Sequence, residues 1–214
     1  HQISIRNAGE NDVSFTDPVV VRNPNGGHVS INSPIVGTGD ASFTVFGSGH
    51  TTYLDSGANV SGSITYNDAV EIEGDLNLTS GSSIQFGLPS GTIDAYDGGD
   101  SPDTVDDDDA DTLELNAATD VTVKGGVGST DPLYSLIVDA CEDVLFEGSI
   151  TITNQGNGLG RHGDLDVSGG DNITFQQGVT LDDDLIIDSG GSVIFHGPVT
   201  VSGDIDISGV SDVT

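Results

Sequence analysis

Apolar residues in the last third of the chain come in pairs that are separated by a single residue. The pairs occupy 165–167, 173–175 and 179–181, and they return at 185–187, 193–195 and 199–201. An alternating triplet of this kind is typical of a short β-strand with one buried face. The order of the triplets returns after about 20 residues, which indicates a structural repeat with three short strands.

Three strands in about 20 residues predict one coil of a parallel β-helix, an all-β solenoid in which each strand pairs with its counterpart one coil later. Gly, Asp, Asn and Ser fill the joints between the triplets, where tight turns need them. A β-sandwich and an elongated antiparallel sheet are the competing folds, but the fixed period and the lack of two-residue Asn-Gly or Asp-Gly hairpins disfavour both. The general preference of parallel crossovers predicts a right-handed coil.

The repeat can be followed backwards, so residues 1–214 are predicted to form one rod of roughly nine to ten coils, about 45 Å long. Residues 1–60 are less regular: "DVSFTDPVVV" and "HVSINSPIV" echo one another at an offset of 16 residues, and "FGSGHTTYLDSGAN" does not fit the pattern. The segments 96–111 and 153–162 interrupt the repeat as corner insertions. Because the chain has no initiator Met and stops one strand into a further coil, we interpret it as a segment of a longer polypeptide.

The charge balance excludes several partners. The chain has 35 Asp and Glu residues against four Lys and Arg, for a formal net charge of -31. So few cations cannot line a groove for nucleic acid or hold the chain on an anionic membrane surface. No apolar stretch reaches membrane-spanning length, so we expect no membrane insertion.

The insertion at 96–111 is the first candidate for ligand chemistry. Its carboxylates could bind Ca²⁺, which prefers six to eight oxygen ligands. A solvated acidic loop is the alternative, since the spacing matches neither an EF-hand nor a Gly-rich nonapeptide repeat. The predicted Ca²⁺ ligands are Asp97, Asp100, Asp103, Asp106, Asp107, Asp108, Asp109 and Asp111.

A second acidic set follows the repeat itself. Asp164, Asp184 and Asp204 occupy the same place in successive coils, and Asp75 matches it in an earlier coil. Stacking predicts a spacing of about 5 Å between neighbours, which is unfavourable for like charges unless they are exposed, bridged or partly protonated. Two interpretations stay open here: each Asp caps its own corner turn, or the ladder binds cations.

Other reactive residues give little support for catalysis. Polysaccharide-degrading β-helix enzymes combine carboxylates with Arg or Lys on one face, whereas Lys124 and Arg161 are the only cations near an Asp pair here. No nucleophile elbow, zinc-protease motif or phosphate loop occurs, and we predict that the chain is not an enzyme and requires no cofactor. Cys141 aligns with Gly190 at a corner, which predicts a partly buried free thiol, with an intermolecular disulfide as the alternative.

One segment resembles the repeats of giant bacterial β-strand-repeat surface exoproteins, including filamentous-haemagglutinin-like adhesins: "VKGGVGSTDPLYSLIVDACEDVLFEGSITI". A second segment, "DLIIDSGGSVIFHGPVTV", has the same spacing of apolar and turn residues. The resemblance covers most of 60–214. It implies a right-handed β-helix stalk that is extracellular or attached to the cell surface. We therefore expect a structural segment of a fibre or adhesin stalk, with copies of itself or adjoining coils as partners. A module that binds glycans or neighbouring fibres through 96–111 and 153–162 is the alternative.

Overall fold

The computed structural model describes residues 2–7, 12–24, 26–46, 49–96, 111–153 and 163–214. These residues form 27 short strands and three parallel sheets, each with nine strands. Every strand before the last coil pairs with the strand three places later in the chain, which is the connectivity of a parallel β-helix with three strands per coil. The fold class predicted from the hydrophobic pattern is confirmed, with nine coils.

Each coil contributes one strand to each sheet, in the order A, B, C. Sheet A contains β1 (Ile3–Ile5), β4 (Val29–Ile31), β7 (Thr51–Leu54), β10 (Ala69–Ile72), β13 (Thr92–Ala95), β16 (Gly126–Val127), β19 (Ile150–Ile152), β22 (Val179–Leu181) and β25 (Val199–Val201). Sheet B contains β2 (Val13–Phe15), β5 (Ile35–Gly37), β8 (Ala58–Val60), β11 (Leu76–Ser80), β14 (Thr112–Ala117), β17 (Ser135–Ala140), β20 (Leu165–Gly169), β23 (Leu185–Ser189) and β26 (Ile205–Ser208). Sheet C contains β3 (Val19–Arg22), β6 (Phe43–Phe46), β9 (Ile64–Tyr66), β12 (Ile84–Phe86), β15 (Val121–Val123), β18 (Val144–Phe146), β21 (Ile173–Phe175), β24 (Ser192–Phe195) and β27 (Asp212–Val213).

The alternation of the triplets places one apolar ladder from each sheet inside the coil. Leu165 pairs with Leu185, and Val179 pairs with Val199. All the apolar residues of the triplets at 165–167, 173–175 and 179–181 are buried. Because the coils are stacked in register, side chains of the same type contact one another along the axis: the rings of Phe175 and Phe195 lie 4.9 Å apart with planes only 6° from parallel.

The first coils depart from the sequence interpretation. The two echoing segments do not lie one coil apart, because Val29 pairs with Ile3 while Val13 pairs with Ile35. The echo therefore joins strands of two different sheets. Within the stretch that did not fit the pattern, Thr51–Leu54 form the regular strand β7. One of the inward positions of this strand is occupied by Thr52, a polar residue that is fully buried.

The insertions share one corner of the rod. The chain leaves β13 in sheet A and enters β14 in sheet B around 96–111, and it leaves β19 and enters β20 around 153–162. The shorter insertion that precedes β17 also connects sheet A to sheet B. Three successive coils, 5 to 7, therefore carry their extra residues at the corner between sheets A and B, which we call the AB corner.

The corner between sheets B and C is kept narrow by glycine. A Cβ atom on Gly170 would collide with the backbone carbonyl of Cys141 in the coil before, and one on Gly190 would collide with the carbonyl of Gly170. Backbone hydrogen bonds connect successive coils at this corner, as from Gly190 N to Gly169 O.

The alignment of Cys141 with Gly190 is confirmed, but the prediction of a partly buried thiol is wrong, because Cys141 is exposed.

Candidate functional site

The AB corner of coils 7 and 8 brings three carboxylates together. Asp164 immediately precedes β20, and Asp183 and Asp184 occupy the corresponding corner one coil later. One carboxylate oxygen from each lies within 4.8 Å of the others, and all three residues are half-buried. The close stacking predicted for the Asp164 and Asp184 pair is confirmed.

The hydrogen bonds of this ladder explain the position of its aspartates. Asp184 N donates to Asp164 Oδ1 at 3.3 Å, and Asp204 N donates to Asp184 Oδ1 at 2.7 Å. In the earlier coil Thr112 N donates to Asp75 Oδ1 at 3.2 Å. These aspartates do bind backbone N–H groups, as the capping interpretation requires, but the N–H belongs to the next coil and not to their own turn. Each carboxylate thus fastens one coil to the next.

Of the predicted Ca²⁺ ligands, only Asp111 lies within the described residues. Its Oδ1 atom accepts a hydrogen bond from Gly74 N at 2.6 Å, and its side chain is only 9% exposed. Gly74 has a φ of 75°, a conformation that disfavours other residues. Asp111 therefore anchors the end of its insertion to coil 4. The other seven predicted ligands lie outside the described residues, and their role as Ca²⁺ ligands stays a prediction.

The outer face of sheet B carries a second regular array of acids. Two outward-facing columns run along coils 5 to 9. The first column reads Glu114, Ile137, Asp166, Ile186, Asp206, and the second reads Asn116, Asp139, Ser168, Asp188, Ser208. Every coil contributes one carboxylate, and the carboxylates alternate between the two columns. Acids in the same column are therefore two coils apart, about 10 Å.

This alternation lowers the repulsion between like charges, because directly opposed like charges on neighbouring strands are destabilising. Some repulsion between neighbouring carboxylates remains, and it is seen in the pKa of Asp166. Burial between its neighbours raises the pKa of this carboxyl, and the charges of Asp164, Asp139 and Asp188 raise it further. Asp139 and Asp188 are its two diagonal neighbours in the array. Sequence analysis noticed the abundance of acids but missed this alternation, which can be found only after the strands are placed in register.

The corner between sheets C and A, the CA corner, contains a buried carboxylate in the first half of the rod. Asp68 is 4% exposed, and neither of its oxygens makes a hydrogen bond of acceptable geometry. Burial raises the pKa of Asp68, while the nearby backbone amides of Ala69 and His50 and the side chains of His50 and His28 act in the opposite direction. Asp68 was missed by sequence analysis because it is the last residue of a turn, a position where Asp is usually solvated.

The two histidines near Asp68 belong to a row of rings on the rod surface. The ring centroids of His50 and His28 lie 5.9 Å apart, those of His28 and Tyr53 lie 5.0 Å apart, and those of Tyr53 and Tyr96 lie 5.3 Å apart. Sequence analysis did not single out any of these four residues. Apart from His50 and Tyr53, they are far apart in the chain, and no spacing rule connects them.

The two ends of the rod expose residues that are buried elsewhere. In the last coil Ile205 is 56% exposed, although its neighbour one coil earlier, Leu185, is fully buried. In the first coil Ile3 is only partly buried, whereas Val29 beside it has no exposure. Both terminal coils also have a free strand edge in all three sheets.

Comparisons with known proteins returned nothing: no family model, no curated protein and no solved structure matches this chain. The resemblance to bacterial surface exoproteins therefore stays a prediction. Among the described residues, no helix has the length and apolarity needed to span a membrane.

Proposed function

We propose that this chain is a structural segment of an extracellular fibre or adhesin stalk, and that the rod is extended by coils stacked on its ends. The observation that carries this proposal is the stack itself, in which nine coils follow one another in register and each of the three sheets runs unbroken from the first described coil to the last. Further coils, of the same polypeptide or of a second copy, would continue the hydrogen bonding of each sheet by strand addition.

The energetics favour such stacking. Full burial of a side chain such as Ile205 contributes about 1.5–3 kcal/mol. Each terminal coil also offers several partly buried apolar residues: Val199, Val201 and Ile207 in the last coil, and Ile3, Val13 and Phe15 in the first. The opposing contribution is the net charge of -31, which repels a second copy at low ionic strength. Salt screens this repulsion, since the Debye length falls to about 3 Å at 1 M.

Sedimentation velocity of this chain over a range of protein and salt concentrations tests the proposal. We expect end-to-end oligomers that grow with both concentrations and appear as lengthened rods by electron microscopy. The variant Ile205→Lys, which places a charge on the exposed inward position, should remain monomeric. The matched control Thr200→Lys adds the same charge to an outward position of the last coil and should still associate. A wild-type chain that stays monomeric throughout, or copies that associate only side by side, would contradict the proposal.

A further inference from the structure

Ring contacts among the described residues fall into two groups. One group lies in the core, as in the stack of Phe146, Phe175 and Phe195. The other is the surface row formed by His50, His28, Tyr53 and Tyr96, which we call the ring row. Tyr96 is 38% exposed, His28 is exposed, and Tyr53 and His50 are half-buried. The row has no counterpart in the described part of coils 6 to 9.

The coil register assembles this row from distant parts of the sequence. Tyr53 lies on the outer face of sheet A and pairs with Ser30 on one side and Glu71 on the other. Tyr96 follows β13, two coils beyond Tyr53, yet the ring centroids are 5.3 Å apart. Two coil steps measure about 10 Å, so the two tyrosine side chains lean towards each other across the coil that carries Glu71.

Polar groups flank the ring row. Gln2 Nε2 donates to Ser30 Oγ at 2.8 Å, and Ser30 is the coil-2 partner of Tyr53. The carboxylate of Glu71 is close enough to Tyr53 to contribute, after burial, to the raised pKa of that phenol. Aromatic faces with amide, hydroxyl and carboxylate groups at their edges are the combination that receives a sugar: the rings contact the C–H face of a pyranose and the polar groups bind its hydroxyls.

The shape of the row favours a polymer over a point ligand. The rings of His28 and Tyr96 belong to coils 2 and 5, but their centroids are no more than about 10 Å apart, because both rings contact Tyr53, at 5.0 and 5.3 Å. An organic cation is held by rings that enclose one point, whereas the rings of His28, Tyr53 and Tyr96 come from coils 2, 3 and 5 and succeed one another along the rod, with His50 beside His28. Several consecutive sugar units of an extended chain could contact them in turn.

The negative charge of the chain favours uncharged sugars over anionic ones. The chain carries a net charge of -31, and Glu71 stands within the row itself. The resulting negative potential repels uronic acids, sulfated sugars and sialic acids. An uncharged, extended glycan meets no such barrier.

We propose that the ring row, with Glu71, is a binding site for a neutral, extended polysaccharide that lies along the rod axis. This site is distinct from the loops at 96–111 and 153–162 that sequence analysis named as glycan contacts, although Tyr96 is the first residue of the former. It adds a lateral binding function to the proposed structural one.

Titration calorimetry with cellohexaose and with hexa-N-acetyl-chitohexaose tests the proposal, with polygalacturonate and hexa-lysine as charged probes. We expect saturable binding of at least one neutral hexasaccharide and none of polygalacturonate. Tyr53→Ala and Tyr96→Ala should each weaken binding by about tenfold or more. Tyr53→Phe, which keeps the ring, should retain it. Tyr134→Ala is the matched control, since Tyr134 is a half-buried tyrosine outside the row.

Three outcomes would overturn the proposal: no neutral hexasaccharide binds, the Tyr→Ala variants bind as the wild type does with an unchanged circular dichroism spectrum, or hexa-lysine alone binds. The end-blocked variant Ile205→Lys should bind the sugar normally. Loss of end-to-end assembly and loss of sugar binding can thus be told apart.

Discussion

Coils 7 to 9 and coils 2 to 4 share one architecture but differ in how strictly each position repeats. In coils 7 and 8 the phenyl rings of Phe175 and Phe195 are nearly parallel, whereas in coils 2 and 3 the rings of Phe43 and Tyr66 lie 6.3 Å apart at 76°. The regular coils fasten each Asp of the ladder to the next coil, while the irregular coils bury Thr52 and Asp68 without hydrogen bonds at Thr52 Oγ1 and at both carboxylate oxygens.

The difference shows what exact repetition does for this fold. When successive coils have the same residues, each side chain meets its own kind one coil away, so rings stack and each Asp finds the next backbone N–H. Where the residues change from coil to coil, polar atoms are buried without partners and rings reach the surface, although Tyr66 and Phe86 still stack there. The unusual chemistry of the rod, including the ring row, therefore lies in its less regular half.

The largest expected effect comes from removing a ring in each half. Phe175→Ala should destabilise the rod by about 3–5 kcal/mol, as large aromatic truncations do. Phe43→Ala should cost about 1 kcal/mol less, because a ring pair in stacked or edge-to-face geometry adds roughly 0.5–1.5 kcal/mol beyond burial, and Phe175 has two such neighbours, Phe146 and Phe195, whereas Phe43 has one, Tyr66. Urea unfolding followed by circular dichroism measures both values.

Replacement by leucine separates stacking from volume in the same experiment. Phe175→Leu and Phe43→Leu keep most of the apolar volume, so the gap between the two sites should persist. Equal losses for the two leucine variants would mean that the second ring neighbour of Phe175 contributes nothing of its own.

Thr52→Val should stabilise the irregular half by about 1–2 kcal/mol. Thr52 is fully buried, and its Oγ1 atom has no hydrogen-bond partner, so the hydroxyl carries a desolvation penalty that a methyl group of the same shape avoids. The control Thr180→Val changes an exposed outward threonine of coil 8 and should leave the free energy of unfolding within about 0.5 kcal/mol of the wild type. A loss of stability in Thr52→Val would indicate that the hydroxyl is satisfied in solution.

Asp68→Asn should change the dependence of stability on pH. Burial raises the pKa of Asp68 in the folded chain, so the folded state binds this proton more tightly than the unfolded state. The wild type therefore loses stability as the pH rises through the interval from the unfolded pKa to the raised folded one, and the penalty is absent below it. The side chains of His28 and His50 lower the pKa of Asp68 and so lessen this loss.

Chemical unfolding at a series of pH values tests this. The variant should be more stable than the wild type at pH 8, and the difference should vanish towards pH 3. Asp40→Asn removes the same charge from an exposed position in the same half and serves as the control for net charge. If both variants change in parallel across the whole range, the effect belongs to net charge and not to the burial of Asp68.

Sequence pattern was sufficient for most of the fold. The pairs around Leu165, Ile173 and Val179 alternate cleanly, and their period gave the three sheets, the approximate number of coils and the corner insertions. The pattern failed at Thr52, because a polar residue on the inward side breaks the alternation on which the method depends. It also failed in the first two coils. The turns there differ in length, so the segments around Val13 and Val29 look alike in sequence although their strands belong to different sheets.

The candidate sites were harder to predict, because they depend on which residues become neighbours between coils. The Asp164 and Asp184 pair was found, since both follow the repeat. Tyr53 and Tyr96 lie two coils apart with an irregular number of residues between them, so nothing in the sequence joins them. The burial of Asp68 likewise follows from how its turn packs, which composition and period do not report.

The smallest expected effect comes from adding one charge to the acidic array on sheet B, in the regular half of the rod. Ser168 lies between Asp139 and Asp188 in the second column, so Ser168→Asp would place three carboxylates on successive coils. We expect a destabilisation of about 0.2–1 kcal/mol at low salt, and most of it should disappear at 1 M salt, where screening is strong. The control Thr174→Asp adds the same charge between the uncharged Leu145 and Ile194 on sheet C and should cost less. If both variants lose the same stability, the alternation of acids on sheet B has no energetic role, and the spacing of the charges along the rod would have to reflect composition alone.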